Sequence, residues 1–107
     1  MIRLARTADN PRTSPTRSAH MVGICGSGMQ SLAGVLLERG WRLTGSDVEP
    51  AKAAWLRRRG VRVAAGHAAE HLPEDAGLLI YSDAVGPDNA ERRQAAVYGI
   101  AQLSYPA

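Results

Sequence analysis

Apolar and polar residues follow one another along the chain in a pattern that favours helices followed directly by strands. At Gly40, Gly60 and Gly99, a segment with helical periodicity ends and a run rich in β-forming residues begins. Glycine just past a helix end adopts the left-handed conformation at little cost, so each position predicts a helix-to-strand junction. Helices that alternate with strands at this spacing indicate crossover connections and a parallel sheet.

The same periodicity predicts the individual elements. Strands are expected over a short apolar run ending at Gly23 and over residues 41–45, 61–65, 77–81 and 100–103. Helices are expected over 27–39, 50–59 and 88–98, with a short, weak helical segment or loop over 68–76. The expected fold class is α/β: a Rossmann-like open parallel sheet of about five strands with helices on both faces.

Two of these helices carry more specific signals. In the first, one apolar stripe is predicted to face the sheet, and its members are Met29, Leu32, Ala33, Leu36 and Leu37. In the last, Asp88 is followed three residues later by Glu91, which predicts a capping box at the helix start.

The stretch from Met21 to Met29, M-V-G-I-C-G-S-G-M, is typical of a buried strand that turns tightly into a helix. The first N–H groups of a helix have no partner within it, and the helix dipole adds about half a positive charge there. The turn is therefore predicted to bind a diphosphate. Cys25 takes the place of a glycine in the dinucleotide-binding pattern. We interpret Cys25 as a packing residue, and His20 and His71 as structural.

Polar residues stand where three further strands are predicted to end. Ligands of open parallel sheets lie beyond the carboxyl ends of the strands, so these residues are candidates for the same site. Asp47 could accept hydrogen bonds from ribose hydroxyls or cap the helix that begins near Pro50. His67 could face a base or a sugar, or be an exposed loop histidine. Ser82 could donate to a ligand or simply end its strand.

Composition and charge narrow the function classes. The chain has 107 residues, enough for one domain, and carries a net charge of +3. That excess lies in residues 1–19, interpreted as a flexible leader rich in Arg, Ser and Pro, because residues 20–107 hold nine basic and nine acidic side chains. We therefore expect no nucleic-acid binding by the folded part. With no long apolar run, one cysteine and no zinc-ligand spacing, we expect no membrane span, no metal site and a cytoplasmic location.

Four segments resemble, in order and spacing, the N-terminal domain of the Mur ligases. They are HMVGICGSGM from His20, Gly45-Ser46-Asp47, Gly66-His67 and YSDAVGPDN from Tyr81. The resemblance covers residues 20–107 and is closest to the branch that adds L-alanine to UDP-N-acetylmuramic acid. It implies that the domain binds the UDP part of that UDP-sugar. The residues implied at the diphosphate are Gly26, Ser27, Gly28 and Met29, and those implied nearer the nucleoside or sugar are Asp47, His67, Ser82 and Ala84.

The resemblance also implies what lies elsewhere in such an enzyme. The family uses ATP and Mg²⁺ on a further domain with a Gly-x-x-x-x-Gly-Lys-Thr/Ser loop, and the only lysine here, Lys52, is in no such motif. We therefore expect no cofactor and no catalytic residue in this chain, and contacts with the remaining Mur ligase domains if the chain is a fragment. Two alternatives stay open: a small NAD(P)-type dinucleotide-binding domain, and a non-catalytic regulatory or interaction module that kept the fold.

Overall fold

A computed structural model describes residues 17–106 as five strands and three α-helices, so residues 1–16 of the expected leader lie outside the described part. The strands are β1 (Ser18–Val22), β2 (Arg42–Asp47), β3 (Arg62–Ala65), β4 (Leu79–Ser82) and β5 (Gln102–Tyr105). The helices are α1 (Ser27–Glu38), α2 (Ala54–Arg58) and α3 (Ala90–Tyr98), with 3-10 turns at Pro50–Ala53 and Ala69–His71. All strands pair in parallel, in the order β3-β2-β1-β4-β5. The predicted fold class is confirmed.

The core lies in two layers, one on each face of the sheet. On one face, Met29 and Ala33 of α1 and Leu56 of α2 are fully buried in a cluster with the strands. The three leucines of the predicted stripe are partly buried against this cluster. On the other face, Ala95 of α3 packs with Leu79 of β4 in a smaller cluster. Burial of a large apolar side chain contributes about 1.5–3 kcal/mol, so the face covered by α1 and α2 holds most of the apolar stabilisation.

The three predicted junction glycines all adopt positive φ angles, 84° at Gly40, 91° at Gly60 and 72° at Gly99. The last of them explains why β5 begins two residues later than predicted. Ile100 still belongs to the helix end, because its N–H donates to the Ala95 carbonyl at 2.9 Å, which is the long bond of a Schellman motif.

The predicted capping box at the start of α3 is wrong. Asn89, not Asp88, is the N-cap residue, and its side-chain oxygen accepts from the N–H groups of Glu91 at 2.9 Å and Arg92 at 3.1 Å. The Glu91 side chain does not return to the cap and is fully buried. Within residues 17–106, no helix is long and apolar enough to cross a membrane.

Candidate functional site

The glycine turn between β1 and α1 is held against the end of β2. Gly23 has a φ of 82°, and its N–H and that of Ile24 donate to the Ser46 carbonyl at 2.9 and 3.2 Å. A Cβ atom on Gly23 would lie 3.0 Å from the Cβ of Ser82, so this position tolerates little besides glycine. The turn therefore brings the ends of β1, β2 and β4 together.

Helix α1 begins with unsatisfied donors. Gly26 is the N-cap residue with φ −60° and ψ 147°, no side chain caps the helix, and no acidic residue lies in its first turn. Helical hydrogen bonding starts when the Gln30 N–H donates to the Gly26 carbonyl at 2.8 Å. Among residues 17–106, no group accepts from the N–H groups of Ser27, Gly28 and Met29. These three donors, at the positive end of the helix dipole, are suited to an anion.

The peptide groups of Cys25 are clamped by two side chains. Its N–H donates to Asp47 Oδ2 at 3.0 Å, and its carbonyl accepts from Gln30 Nε2 at 2.8 Å. Gln30 is itself oriented by Trp55, whose Nε1–H donates to Gln30 Oε1 at 2.6 Å. The Cys25 side chain is buried, and burial first and the nearby Asp47 carboxylate second raise the pKa of its thiol. The turn is thus fixed before any ligand arrives.

Asp47 holds two backbone N–H groups and does not cap the turn at Pro50. Its second oxygen, Oδ1, accepts from the Glu49 N–H at 2.9 Å. The 3-10 turn that starts at Pro50 has Glu49 as its N-cap residue and no side-chain cap, so the capping interpretation is wrong. Two backbone N–H groups are held by this one carboxylate, which makes it first of all a brace for the loops around the turn.

A cleft of about 310 Å³ opens at the carboxyl end of the sheet. Five of the eight predicted site residues line it, namely Gly26, Asp47, His67, Ser82 and Ala84. Lys52 also lines the cleft and is the one cationic side chain among its described lining residues; its ammonium lies 3.0 Å from a Glu49 carboxylate oxygen.

The other three predicted residues lie beside the cleft. Ser27 is exposed and faces a shallow neighbouring groove between α1 and α2, whereas Met29 has its side chain in the core and can offer a ligand only its N–H. Gly28 is half-buried in the first turn of α1. Ser82 is buried, and its hydroxyl accepts from the Ala84 N–H at 3.3 Å, so it shapes the turn after β4.

Behind the cleft, a buried carboxylate is in hydrogen-bonding contact with four residues on three segments: β1, β2 and residues 68–71. Oε1 of Glu91 lies 2.6 Å from His20 Nε2 and accepts from the Ser46 hydroxyl at 2.6 Å. Oε2 accepts from the Ala68 N–H at 3.0 Å and lies 3.1 Å from His71 Nδ1. Burial alone raises the pKa of Glu91, but the hydrogen bonds from His20 and Ser46, the charge of His20 and the Ala68 N–H outweigh it and lower the pKa to about 2.

His67 connects this carboxylate to the cleft. Its Nδ1 lies 3.0 Å from the Ser46 hydroxyl oxygen and 3.4 Å from Glu91 Oε2, and its side chain is 24% exposed. We call Glu91, His20, Ser46, His67 and His71 the Glu91 cluster. Despite its three imidazoles, no group of three or more His, Cys, Asp or Glu side chains in residues 17–106 is arranged to hold a metal ion.

The sequence pattern did not identify Glu91 or Gln30 as parts of the site. Glu91 lies four residues before Ala95, on the buried face of α3, and a carboxylate at an inward position needs partners. The inward position of Glu91 therefore indicates a buried polar role, but the capping-box motif assigns the same residue to the helix start. Gln30 carries no local signal, because its partners are a backbone carbonyl five residues away and Trp55 on another helix.

Comparison with known proteins identifies relatives of this chain. A family model described as "Mur ligase family, catalytic domain" matches residues 18–107. The UDP-N-acetylmuramate–L-alanine ligase of Streptomyces avermitilis is 44% identical over 82 residues, which make up 76% of this chain and 18% of that protein.

Two solved structures have the same fold over most of the chain. The UDP-N-acetylmuramate-alanine ligase of Thermotoga maritima aligns with a TM-score of 0.76 and 31% identity, covering 81% of this chain and 20% of that one. A murein peptide ligase of Psychrobacter arcticus aligns with a TM-score of 0.72 and 27% identity, covering 81% and 18%. The chain spans about a fifth of the length of these relatives. On the family match, the chain belongs to the Mur ligase family.

Proposed function

We propose that this chain binds the UDP part of UDP-N-acetylmuramic acid, as the N-terminal domain of a ligase that builds peptidoglycan precursors. The observation that carries the proposal is the set of three free N–H donors at the start of α1, next to a cleft lined by five of the predicted residues. The diphosphate would accept from the N–H groups of Ser27, Gly28 and Met29, with Gly26 alongside. Asp47, His67, Ser82 and Ala84 would surround the nucleoside or sugar.

The dinucleotide alternative is not favoured. It relied on the glycines and on Asp47 as an acceptor for ribose hydroxyls. The family match and the named relatives point to a UDP-sugar instead. A melting experiment that compares stabilisation by UDP and by NAD distinguishes the two.

The full enzyme would use ATP hydrolysis to join L-alanine, or a peptide, to the lactyl carboxylate of the UDP-sugar in the cytoplasm. ATP and Mg²⁺ would bind outside this chain, since its one lysine, Lys52, belongs to no phosphate-binding loop and lies exposed beside Glu49. The remaining domains would complete the sugar site. The chain alone would therefore bind the UDP-sugar weakly and would not catalyse the reaction.

The matched variants Ser27→Pro and Ser27→Ala test the diphosphate site. Proline at the first helical position removes one N–H donor, and the φ and ψ of Gly26 suit a residue that precedes proline. Alanine keeps the N–H and removes only the hydroxyl. Because a hydrogen bond to a charged group contributes about 1.5–3 kcal/mol, the proline variant is expected to bind about tenfold or more weakly.

Isothermal titration calorimetry with UDP-N-acetylmuramic acid and with UDP measures this difference. We expect the wild-type chain to bind, Ser27→Ala to bind with nearly the same affinity, and Ser27→Pro to lose affinity clearly. Circular dichroism checks that the proline variant is folded. Equal affinity of the two variants would remove the α1 N-terminus from the site. If the wild-type chain showed no heat of binding and no melting shift at millimolar UDP-N-acetylmuramic acid, the proposal as a whole would be contradicted.

A further inference from the structure

In the Glu91 cluster, both carboxylate oxygens of Glu91 are surrounded by groups that can donate hydrogen bonds. An ionised carboxylate only accepts hydrogen bonds, and both Glu91 oxygens are taken by groups that can donate. A protonated Glu91 would still accept through one oxygen but would carry an O–H on the other, so one neighbour would have to accept instead of donate. The geometry therefore favours the ionised form, which agrees with the low pKa of this residue.

The charge on Glu91 determines where the protons of its neighbours lie. The Ser46 hydroxyl has one proton, and it donates that proton to Glu91 Oε1 at 2.6 Å. The Ser46 oxygen can then only accept from His67, 3.0 Å away, so Nδ1 of His67 must carry a proton. The second oxygen of Glu91, 3.4 Å from the same nitrogen, favours the same arrangement.

A neutral imidazole protonated on Nδ1 has a bare Nε2. Nδ1 faces the buried carboxylate and His67 lines the cleft, which leaves Nε2 as the ring nitrogen available to a ligand there. Within residues 17–106, Nε2 makes no hydrogen bond. The cleft is thereby given a hydrogen-bond acceptor at this position, where the opposite tautomer would place a donor.

We propose that Glu91 is a positioning residue that holds neutral His67 in the Nδ1–H tautomer, so that Nε2 accepts a hydrogen bond from an N–H or O–H group of the bound nucleotide. The proposal rests on the UDP-binding function proposed above and adds a selectivity to it. Two groups of UDP have the required chemistry, the imide N–H of uracil and the hydroxyls of ribose. Cytosine has an acceptor at the position of that imide N–H, so it would face Nε2 unfavourably.

The tautomer can be measured on the ligand-free 107-residue chain. Long-range ¹H–¹⁵N NMR of histidine-labelled protein, recorded at a pH where His67 is neutral, distinguishes a protonated ring nitrogen from a bare one. We expect Nδ1 protonated and Nε2 bare in the wild-type chain. A wild-type spectrum with the proton on Nε2 overturns the proposal without any variant.

The variant Glu91→Gln tests the cause. An amide has two N–H donors where the carboxylate had only acceptors, so His67 is expected to gain the Nε2–H tautomer. Ser46→Ala keeps the Glu91 carboxylate, whose Oε2 lies 3.4 Å from Nδ1, and is expected to retain the Nδ1–H tautomer. The exposed residue Glu74 supplies the control, Glu74→Gln, which is expected to leave the spectrum unchanged. A folded Glu91→Gln variant that keeps the wild-type tautomer, or a Ser46→Ala variant that loses it while Glu91 is intact, would overturn the role of Glu91.

Calorimetry with UDP, CDP, 2′-deoxy-UDP and 3′-deoxy-UDP then identifies the donor on the ligand. If the imide donates, CDP binds about tenfold more weakly than UDP; if a ribose hydroxyl donates, the deoxynucleotide that lacks it does so. In His67→Ala, that preference is expected to disappear. Equal affinity for all four nucleotides, or a preference that survives His67→Ala, overturns the acceptor role of Nε2. A wild-type chain that binds no UDP refutes the proposed function instead, while the tautomer measurement still decides on Glu91.

Discussion

Replacement of Glu91 by glutamine is the sharpest test of how this domain is held together. Gln has nearly the shape of Glu but cannot carry the negative charge of the ionised carboxylate. In the folded chain the Glu91 carboxylate lies fully buried, with His20 Nε2 and the Ser46 hydroxyl each 2.6 Å from one oxygen. The substitution therefore removes the charge and puts an amide N–H group against donors that need acceptors.

The size of the effect follows from the pKa. Burial raises the pKa of Glu91, but its hydrogen bonds and the charge of His20 outweigh burial and lower the pKa from 4.5 to about 2. Each pKa unit corresponds to about 1.4 kcal/mol. The ionised form therefore contributes about 3 kcal/mol to folding, within the range of about 3–5 kcal/mol found when one partner of a buried pair is removed. Because the folded pKa is the lower one, this contribution is fully present above pH 4.5 and is lost as the pH falls toward 2.

Urea unfolding followed by circular dichroism at several pH values measures this contribution. At pH 7 the Glu91→Gln variant is expected to be about 3 kcal/mol less stable than the wild-type chain, and the difference is expected to shrink steadily below pH 4.5. Glu74→Gln, at an exposed position, is expected to change stability by less than about 0.5 kcal/mol. A difference below about 1 kcal/mol at pH 7, or one that is the same at pH 7 and pH 2.5, would refute this reasoning.

Three further experiments test other parts of the fold. Gly45→Ala places a Cβ 2.7 Å from Ile24 Cδ1 and 2.8 Å from the Met21 carbonyl, so a loss of about 1–3 kcal/mol is expected on urea unfolding; no loss would mean that β1 and β2 are less tightly packed. Asn89→Ala removes the α3 cap and is expected to cost about 1 kcal/mol, whereas Asp88→Ala is expected to cost almost nothing; equal costs would contradict the cap assignment. The buried, high-pKa thiol of Cys25 is expected to react with a disulfide reagent about tenfold more slowly in the folded chain than in urea, and equal rates would contradict its burial.

Local patterns were sufficient to predict the order of the elements. The helix-to-strand junctions at Gly40, Gly60 and Gly99 depend on conformations that glycine adopts cheaply, and all three have the expected positive φ. The apolar stripe of α1 depends on spacing within one helix, and its members do face the sheet. Such features need no knowledge of distant residues, which explains why they are visible in the sequence.

The details of the site depend on contacts between distant segments. His20 and Glu91 are 71 residues apart in the chain, and neither has a local motif that announces the other. Asp47 and Cys25 meet only because β1 and β2 are neighbours in the sheet. The sequence could therefore place Asp47, His67 and Ser82 at one edge of the sheet, but not distinguish a side chain that braces the loops from one that is free for a ligand.

Hydrogen bonds from side chains hold several backbone segments of the site in place before a ligand binds. Asp47 and Gln30 fix the two peptide groups of Cys25, and Glu91 anchors the segment around Ala68. Groups held in place before binding lose little entropy when a ligand arrives, so a modest number of contacts can support measurable affinity. This agrees with the proposal that the domain binds the nucleotide part of a larger substrate by itself, while other domains hold the rest.

The central claim is that the start of α1 holds the diphosphate of a UDP-sugar. The most direct measurement is a titration of the ¹⁵N-labelled chain with UDP-N-acetylmuramic acid, followed by ¹H–¹⁵N correlation NMR of the backbone amides. We expect the amides of Ser27, Gly28 and Met29 to show the largest shifts, and the shifts of amides near Asp47 and His67 to give the same dissociation constant. Amide shifts that leave the first turn of α1 unchanged at saturating ligand would contradict it.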